Sequence, residues 1–166
     1  MNRGNTLFYR FFLKECGAGT VIEFGCHIES PARVSVGKNV FIAKNTFINS
    51  ENFVGELQIE DNVHIGADCH IDHTGNLLIK SCTLISEKVF IYTHTHGYDP
   101  RSAPRALDKK INEGVWLGSQ STILETAKEI ASNTIVAANS VLTKDALVPK
   151  SIYAGVPAKK IKVYAD

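Results

Sequence analysis

The chain has 166 residues, with 18 Lys plus Arg against 17 Asp plus Glu and a formal net charge of +1. That length suits one domain with a real core, and the charge balance argues against a dedicated nucleic-acid binder, which needs a basic surface. With 44% apolar and 21% charged residues the composition is too apolar for intrinsic disorder, and no apolar run is long enough to span a bilayer.

Residues 1–19 come first and lack the apolar run and cleavage site of a signal peptide. The four cysteines, Cys16, Cys26, Cys69 and Cys82, show no CxxC spacing. Reduced thiols and a cytoplasmic location are therefore expected, not a zinc finger or a disulfide framework. Within this segment, residues 3–15 (RGNTLFYRFFLKE) place Leu7, Phe8, Phe11 and Phe12 on one helical face, with Arg3, Arg10 and Lys14 off the stripe. The pattern predicts a short helix whose apolar stripe caps the element that follows. Its alternative is a basic-aromatic patch that meets a membrane surface or a lipid-linked acceptor.

From residue 20 to 148 the chain repeats. Aliphatic residues recur at Ile22, Ile28, Val36, Ile42, Ile48, Ile59, Ile65, Ile71, Ile79, Ile85 and Ile91, then at Leu117, Ile123, Ile130, Val136 and Leu142. Ten of these fifteen steps are six residues long. Helices repeat at about 3.6 residues and strands at about 2, so a period of six belongs to neither alone. It fits short strands joined by tight corners in a hexapeptide β-helix. Small or β-branched residues stand two places earlier (Val34, Val40, Thr46, Val63, Cys69, Thr83, Val89, Ser121, Thr134, Ser140), on the same inward face. Asn39, Asn45, Asn62, Asn133 and Asn139 stand three places later, where a corner requires a left-handed backbone.

Four longer steps each follow the third hexad of a coil, so extra residues leave the solenoid at one shared edge. The seven-residue step from Ile123 to Ile130 is expected on a different corner, as a bulge. The largest excursion, 93–113, begins with His94 and His96 and carries Arg101 and Arg105 between prolines. Histidine is the usual general base near neutral pH. One coil earlier the same edge carries Asp72, His73 and Thr74. Successive coils stack roughly 4.8 Å apart, so Asp72 or His73 is expected within reach of His96, to orient it. His27, His64 and His70 fall in outward places and read as solvated. A zinc hydrolase on such a fold needs three converging histidines; His94 and His96 are two residues apart with no third in register, so no metal ligand is expected. In the extension 149–166, Pro149 and Pro157 stop the coil, and Lys159 to Tyr164 packs back along it. Lys144, Lys150, Lys159, Lys160 and Lys162 crowd this end and suit an anionic ligand. Trp116 restarts the coil after the loop.

Three segments, VWLGSQSTIL (115–124), IVAANSVLTKD (135–145) and AGVPAKKIK (154–162), resemble those of the hexapeptide-repeat acyltransferases. The match covers residues 20–163 and points to the sugar O-acetyltransferases, maltose- and galactoside-acetyltransferase-like and of polysaccharide biosynthesis. The resemblance implies an all-β fold, a left-handed parallel β-helix, and a homotrimer with acetyl-CoA as co-substrate between subunits. His96 matches the family's catalytic base, with a backbone N–H expected as oxyanion donor; His94 and Asp72 are candidate helpers from their place on the shared edge. The CoA contacts carry over onto Trp116, Ser119, Ala138, Thr143, Lys144, Lys159 and Lys162. The acceptor-site asparagine and aspartate of the sugar acetyltransferases are replaced by Gly66 and Thr74, so the acceptor half departs from the pattern. The implied acceptor is a sugar or lipid-linked saccharide hydroxyl, which Arg101 or Arg105 is placed to touch if it is anionic. The alternatives are an N-acyltransferase on an amino sugar nucleotide, a zinc hydrolase and a non-catalytic scaffold.

Overall fold

Each hexad supplies one short strand and one corner, and three hexads return the chain to the face it left. The computed structural model describes residues 4–165. They build a parallel β-helix with three faces. Face 1 stacks Glu15–Cys16, Val34–Val36, Leu57–Ile59, Leu77–Ile79, Lys109–Ile111 and Glu129–Ile130. Face 2 stacks Val21–Ile22, Phe41–Ile42, His64–Ile65, Leu84–Ile85, Trp116–Leu117, Ile135–Val136, Ser151–Gly155 and Ala158–Val163. Face 3 stacks His27–Ile28, Phe47–Asn49, His70–Asp72, Phe90–Ile91, Thr122–Ile123 and Val141–Leu142.

Every aliphatic residue of the six-residue series is buried, none more than 4% exposed. In-register pairs such as Ile48 with Ile71 and Ile71 with Ile91 stack them into continuous columns. The corner asparagines Asn39, Asn45, Asn62, Asn133 and Asn139 all have φ between 54° and 59°, the left-handed region that asparagine tolerates.

The long loop ends earlier than its sequence suggests. Lys109–Ile111 already pairs with Leu77–Ile79 on one side and Glu129–Ile130 on the other. Ile111 is a further member of the inward column, fully buried. The pattern hides it because Lys109 occupies the inward place where a small residue is expected. Lys109 is only 3% exposed. Its Nζ donates to the carbonyls of Leu124, at 2.9 Å, and Ala127. Burial pushes its ammonium down to about 8. With Ile111 restored, the step from Ile123 to Ile130 runs from face 3 to face 1. It therefore falls on the shared edge, not on another corner.

The N-terminal helix, Gly4–Phe12, covers the open end as expected, but with a different stripe. Arg3 lies outside the described residues. Leu7, Phe8, Phe11 and Phe12 are exposed, Phe11 by 84%, while Thr6, Tyr9 and Leu13 are buried. The reason is hydrogen bonding. The first coil presents unpaired backbone groups, which an apolar side chain cannot satisfy. Thr6 Oγ1 accepts from Ile22 N–H at 2.9 Å and lies 3.2 Å from the Ile22 carbonyl. Tyr9 Oη accepts from Ile28 N–H at 3.0 Å and donates to the Cys26 carbonyl at 3.2 Å.

At the other end the coil continues past Pro149. Ser151–Gly155 extends face 2 in parallel with Ile135–Val136, and Ala158–Val163 runs back antiparallel beside it. No helix among the described residues is long and apolar enough to cross a membrane.

Candidate active site

The edge between faces 3 and 1 gathers residues from three successive coils. Asn49 and Asp72 are register partners, as are Ile71 and Ile91. Counting on from them brings Glu51, Thr74 and the stretch Thr93–His96 to the same edge. Glu51 N–H donates to Thr74 Oγ1 at 3.0 Å, which fixes the first two against each other.

Asp72 is fully buried beneath this cluster. Its Oδ1 accepts from Thr74 N–H at 3.0 Å and Thr74 Oγ1 at 2.5 Å. Its Oδ2 lies 2.6 Å from Thr93 N, 2.7 Å from Thr93 Oγ1 and 2.8 Å from His94 Nδ1. Burial alone would raise this carboxyl, but the hydrogen bonds from Thr74, Thr93 and His94 outweigh it and hold it below its ordinary range. The structure thus gives Asp72 to His94, not to His96. His73 serves neither: it is buried, with its ring nitrogens 3.1 Å from the Gly55 carbonyl and 3.4 Å from that of Glu29.

His94–Thr95 pairs antiparallel with Arg105–Ala106, and this small hairpin roots the loop. The loop folds back so that His96 Nδ1 stands 2.6 Å from the Ser102 carbonyl. A carbonyl only accepts, so Nδ1 carries the proton and the neutral ring has its lone pair on Nε2. The same reasoning applies to His94, whose Nδ1 meets the Asp72 carboxylate. Both Nε2 atoms face Glu51: His94 Nε2 is 3.3 Å from one carboxylate oxygen and His96 Nε2 is 3.2 Å from the other.

Glu51 and Ser102 were not expected here. Glu51 lies in the eleven-residue step from Ile48 to Ile59. Its place on the shared edge, two coils below the histidines, was the available signal. Arg105 is exposed at the hairpin and Arg101 is exposed at the turn beyond it.

Of the outward histidines, His27 and His64 are exposed as expected, while His70 is partly buried. On face 3, His27, Phe47, His70 and Phe90 form a row, with His27 and Phe47 centroids 5.4 Å apart and Phe47 and His70 5.3 Å apart. Burial lowers the His70 imidazole, whose Nε2 lies 2.7 Å from Asn49 Oδ1. On face 2, His64 stacks on Phe41 at 4.9 Å.

The residues matched to CoA contacts fall in three places. Trp116, Ile135, Ile152 and Lys162 form one outward row on face 2, and Lys159 pairs with Ala154 in the same hairpin. Trp116 is half exposed, and its Nε1–H donates to Ser86 Oγ at 3.0 Å. Ser119 and Ala138 lie at the corner between faces 2 and 3, where Asn139 N–H donates to the Ser119 carbonyl at 3.0 Å. A Cβ on Gly118 would stand 2.5 Å from Ala138 N, so the coils close tightly at this corner. Thr143 and Lys144 follow face 3 and lie on the His96 edge. Exposed lysines, an exposed indole and small corner residues are a chemically suitable set for a phosphorylated thioester carrier.

No family model matches the chain. The Escherichia coli K12 protein named "Putative lipopolysaccharide biosynthesis O-acetyl transferase WbbJ" is 32% identical over 173 residues, covering 96% of this chain and 85% of that one. A chloramphenicol acetyltransferase from Morganella morganii matches locally, 41% identical over 58 residues, 35% of this chain and 27% of its own. Among solved structures, AntD, an N-acyltransferase from Bacillus cereus solved with dTDP-4-amino-4,6-dideoxyglucose and coenzyme A, superposes with a TM-score of 0.86 at 20% identity, over 100% of this chain and 93% of its own. The hexapeptide-repeat acetyltransferase VCA0836 of Vibrio cholerae, complexed with acetyl coenzyme A, gives 0.62 at 22% identity, over 97% and 76%. The structures share the fold; the near full-length likeness to WbbJ, on a six-residue repeat with this edge, shows that the chain belongs to the hexapeptide-repeat acyltransferase family.

Proposed function

We propose that this protein transfers an acetyl group from acetyl-CoA to a hydroxyl of a sugar or lipid-linked saccharide during surface polysaccharide assembly, with His96 as general base. The observation that carries the reading is the 2.6 Å contact of His96 Nδ1 with the Ser102 carbonyl. It fixes the tautomer and leaves Nε2 to receive a proton. The name of WbbJ supports a hydroxyl acceptor.

Acetyl-CoA is a substrate here and supplies the acyl group as a thioester. His96 Nε2 takes the hydroxyl proton as the acceptor oxygen attacks the thioester carbonyl. The C–S bond breaks, and the imidazolium returns the proton to the departing sulfur. Glu51, beside both Nε2 atoms, offsets the positive charge that forms. Asp72 holds His94 in place next to the base. Lys159 and Lys162 meet the phosphates as point charges, and Trp116, Ser119, Ala138, Thr143 and Lys144 line the carrier's path.

In one chain the Ser119–Ala138 corner and the His96 edge lie on opposite sides of face 3. A complete site therefore needs a second copy, and the reading includes a homotrimer with face 3, and its row of His27, Phe47, His70 and Phe90, turned toward a neighbour. The exposed Leu7, Phe8, Phe11 and Phe12 beside Arg10 support an acceptor held at a lipid surface. The reading places the reaction in the cytoplasm. An amino sugar nucleotide is the second acceptor, favoured by the ligand of AntD on the same fold.

The test is release of CoA thiol over a panel of hydroxyl and amino sugars, free and lipid-linked, with the product's acetyl linkage identified by mass spectrometry. An ester is expected; an amide supports the second acceptor, and no thiol release overturns the reading. Light scattering is expected to give a trimer at micromolar concentration, and a monomer contradicts the shared site.

A further inference from the structure

Glu51, His94 and His96 present three ligand atoms within 4.8 Å of one another. Each atom is an acceptor. The Nδ1–H groups of both histidines are already committed, His94 to the buried Asp72 carboxylate at 2.8 Å and His96 to the Ser102 carbonyl at 2.6 Å. With both rings neutral, two imidazole lone pairs converge on a carboxylate, and only a proton or a cation can bridge them. We propose that Glu51, His94 Nε2 and His96 Nε2 form a binding site for a divalent cation of the zinc class.

The geometry fits that cation. Two ligands each about 2.1 Å from a tetrahedral zinc stand about 3.4 Å apart. The nitrogen–oxygen separations here are 3.3 and 3.2 Å, one to each oxygen of the Glu51 carboxylate, so both oxygens face the place an ion would take. Two imidazoles with one carboxylate are borderline ligands suited to zinc rather than to calcium or magnesium, and a three-ligand set leaves a position open. Metal-binding histidines commonly donate their other ring nitrogen to a carboxylate or a backbone carbonyl, and both kinds of partner stand here in Asp72 and Ser102. Asp72 in turn is held by Thr74 and Thr93 on neighbouring coils. The rings are thus oriented from behind before any ion arrives.

The consequence is competition. Coordination uses the same Nε2 lone pair of His96 that proton transfer uses, so a bound ion blocks the base. That consequence rests on the transferase reading; the site itself does not.

The experiment is calorimetric titration of zinc chloride into the full chain after chelator treatment. One site per chain is expected. Glu51→Gln and His94→Gln should each weaken it by more than about tenfold, while Cys82→Ser, which alters an exposed thiol on the corner between faces 1 and 2, away from the edge that carries the cluster, should leave it unchanged. Circular dichroism checks that the variants fold. Cobalt in place of zinc gives a second readout on the unaltered chain: visible d–d bands without a thiolate charge-transfer band are expected. No binding, binding unchanged in the Glu51 and His94 variants, or a thiolate band overturns the site. Thiol release by zinc-loaded and stripped protein then separates the two readings. If zinc binds through these residues and transfer is not slowed, the site stands and His96 is not the base. If zinc does not bind while His96→Ala abolishes transfer, the base stands and the metal site fails.

Discussion

The buried carboxylate of Asp72 holds His94 Nδ1 at 2.8 Å, one coil of the solenoid joined to the next through a side chain. The same carboxylate accepts from Thr74 and Thr93, so it ties the edge of face 3 to the root of the loop. Asp72→Asn replaces one acceptor oxygen with a donor, which must face a donor on one side or the other. A loss of about 1–3 kcal/mol is expected from the unpaired groups. Urea denaturation of the two proteins measures it, and an unchanged midpoint would show that the network contributes little.

The cap separates two kinds of aromatic residue. Tyr9 bonds both Cys26 and Ile28 of the first coil, whereas Phe11 faces outward. Tyr9→Phe should cost about 1–2 kcal/mol. Phe11→Ala should stay within about 0.5 kcal/mol. Thermal unfolding of both variants checks the order, and a larger loss from Phe11→Ala would mean that the outward stripe is covered.

Lys109 makes stability depend on pH in a definite direction. In the folded chain its ammonium gives up a proton at about 8, against 10.5 in the unfolded chain. Between those values the unfolded state binds more protons, so stability rises with pH and the penalty of the buried charge disappears. The gain approaches about 3 kcal/mol. Lys109→Met lacks this component. The difference in urea midpoint between wild type and Lys109→Met should therefore shift toward the wild type from pH 7 to pH 10. A difference independent of pH would place the Lys109 amine in contact with water.

The cysteines should divide by burial. Burial pushes the thiols of Cys26 and Cys69 up to about 11, so at pH 8 only about one in a thousand is thiolate. Cys82 is exposed. Mass spectrometry after iodoacetamide treatment should find Cys82 modified in the native protein and Cys26 and Cys69 modified only in denaturant. Native labelling of Cys69 would indicate that the coil opens there.

The solenoid was legible because its core is one residue deep. An aliphatic side chain every six residues, such as Ile59, Ile65 and Ile71, leaves no other way to bury itself. The phase slipped only at Ile111, where a lysine stands in an inward place and is satisfied by carbonyls rather than by packing. The helix misled for a related reason. Hydrophobicity selects Leu7, Phe8, Phe11 and Phe12, but the end of a β-helix needs hydrogen-bonding caps, and Thr6 and Tyr9 supply them. In the site, His94, His96 and Asp72 were legible as polar residues on the shared edge. Which histidine Asp72 would reach was not, because the two stand only two residues apart on the loop path. Glu51 was hidden because it precedes His94 by 43 residues and meets it only through stacking of coils.

The central claim is that His96 is the base of an acetyl transfer. It is tested most directly by titrating acetyl-CoA into wild type and His96→Ala in a calorimeter and following thiol release from both with the best acceptor of the panel. Both proteins should bind acetyl-CoA with similar affinity, and only the wild type should release thiol rapidly, with the variant slowed by about 100-fold or more. Equal rates would remove His96 from the chemistry, and failure of both proteins to bind acetyl-CoA would contradict the transferase account itself.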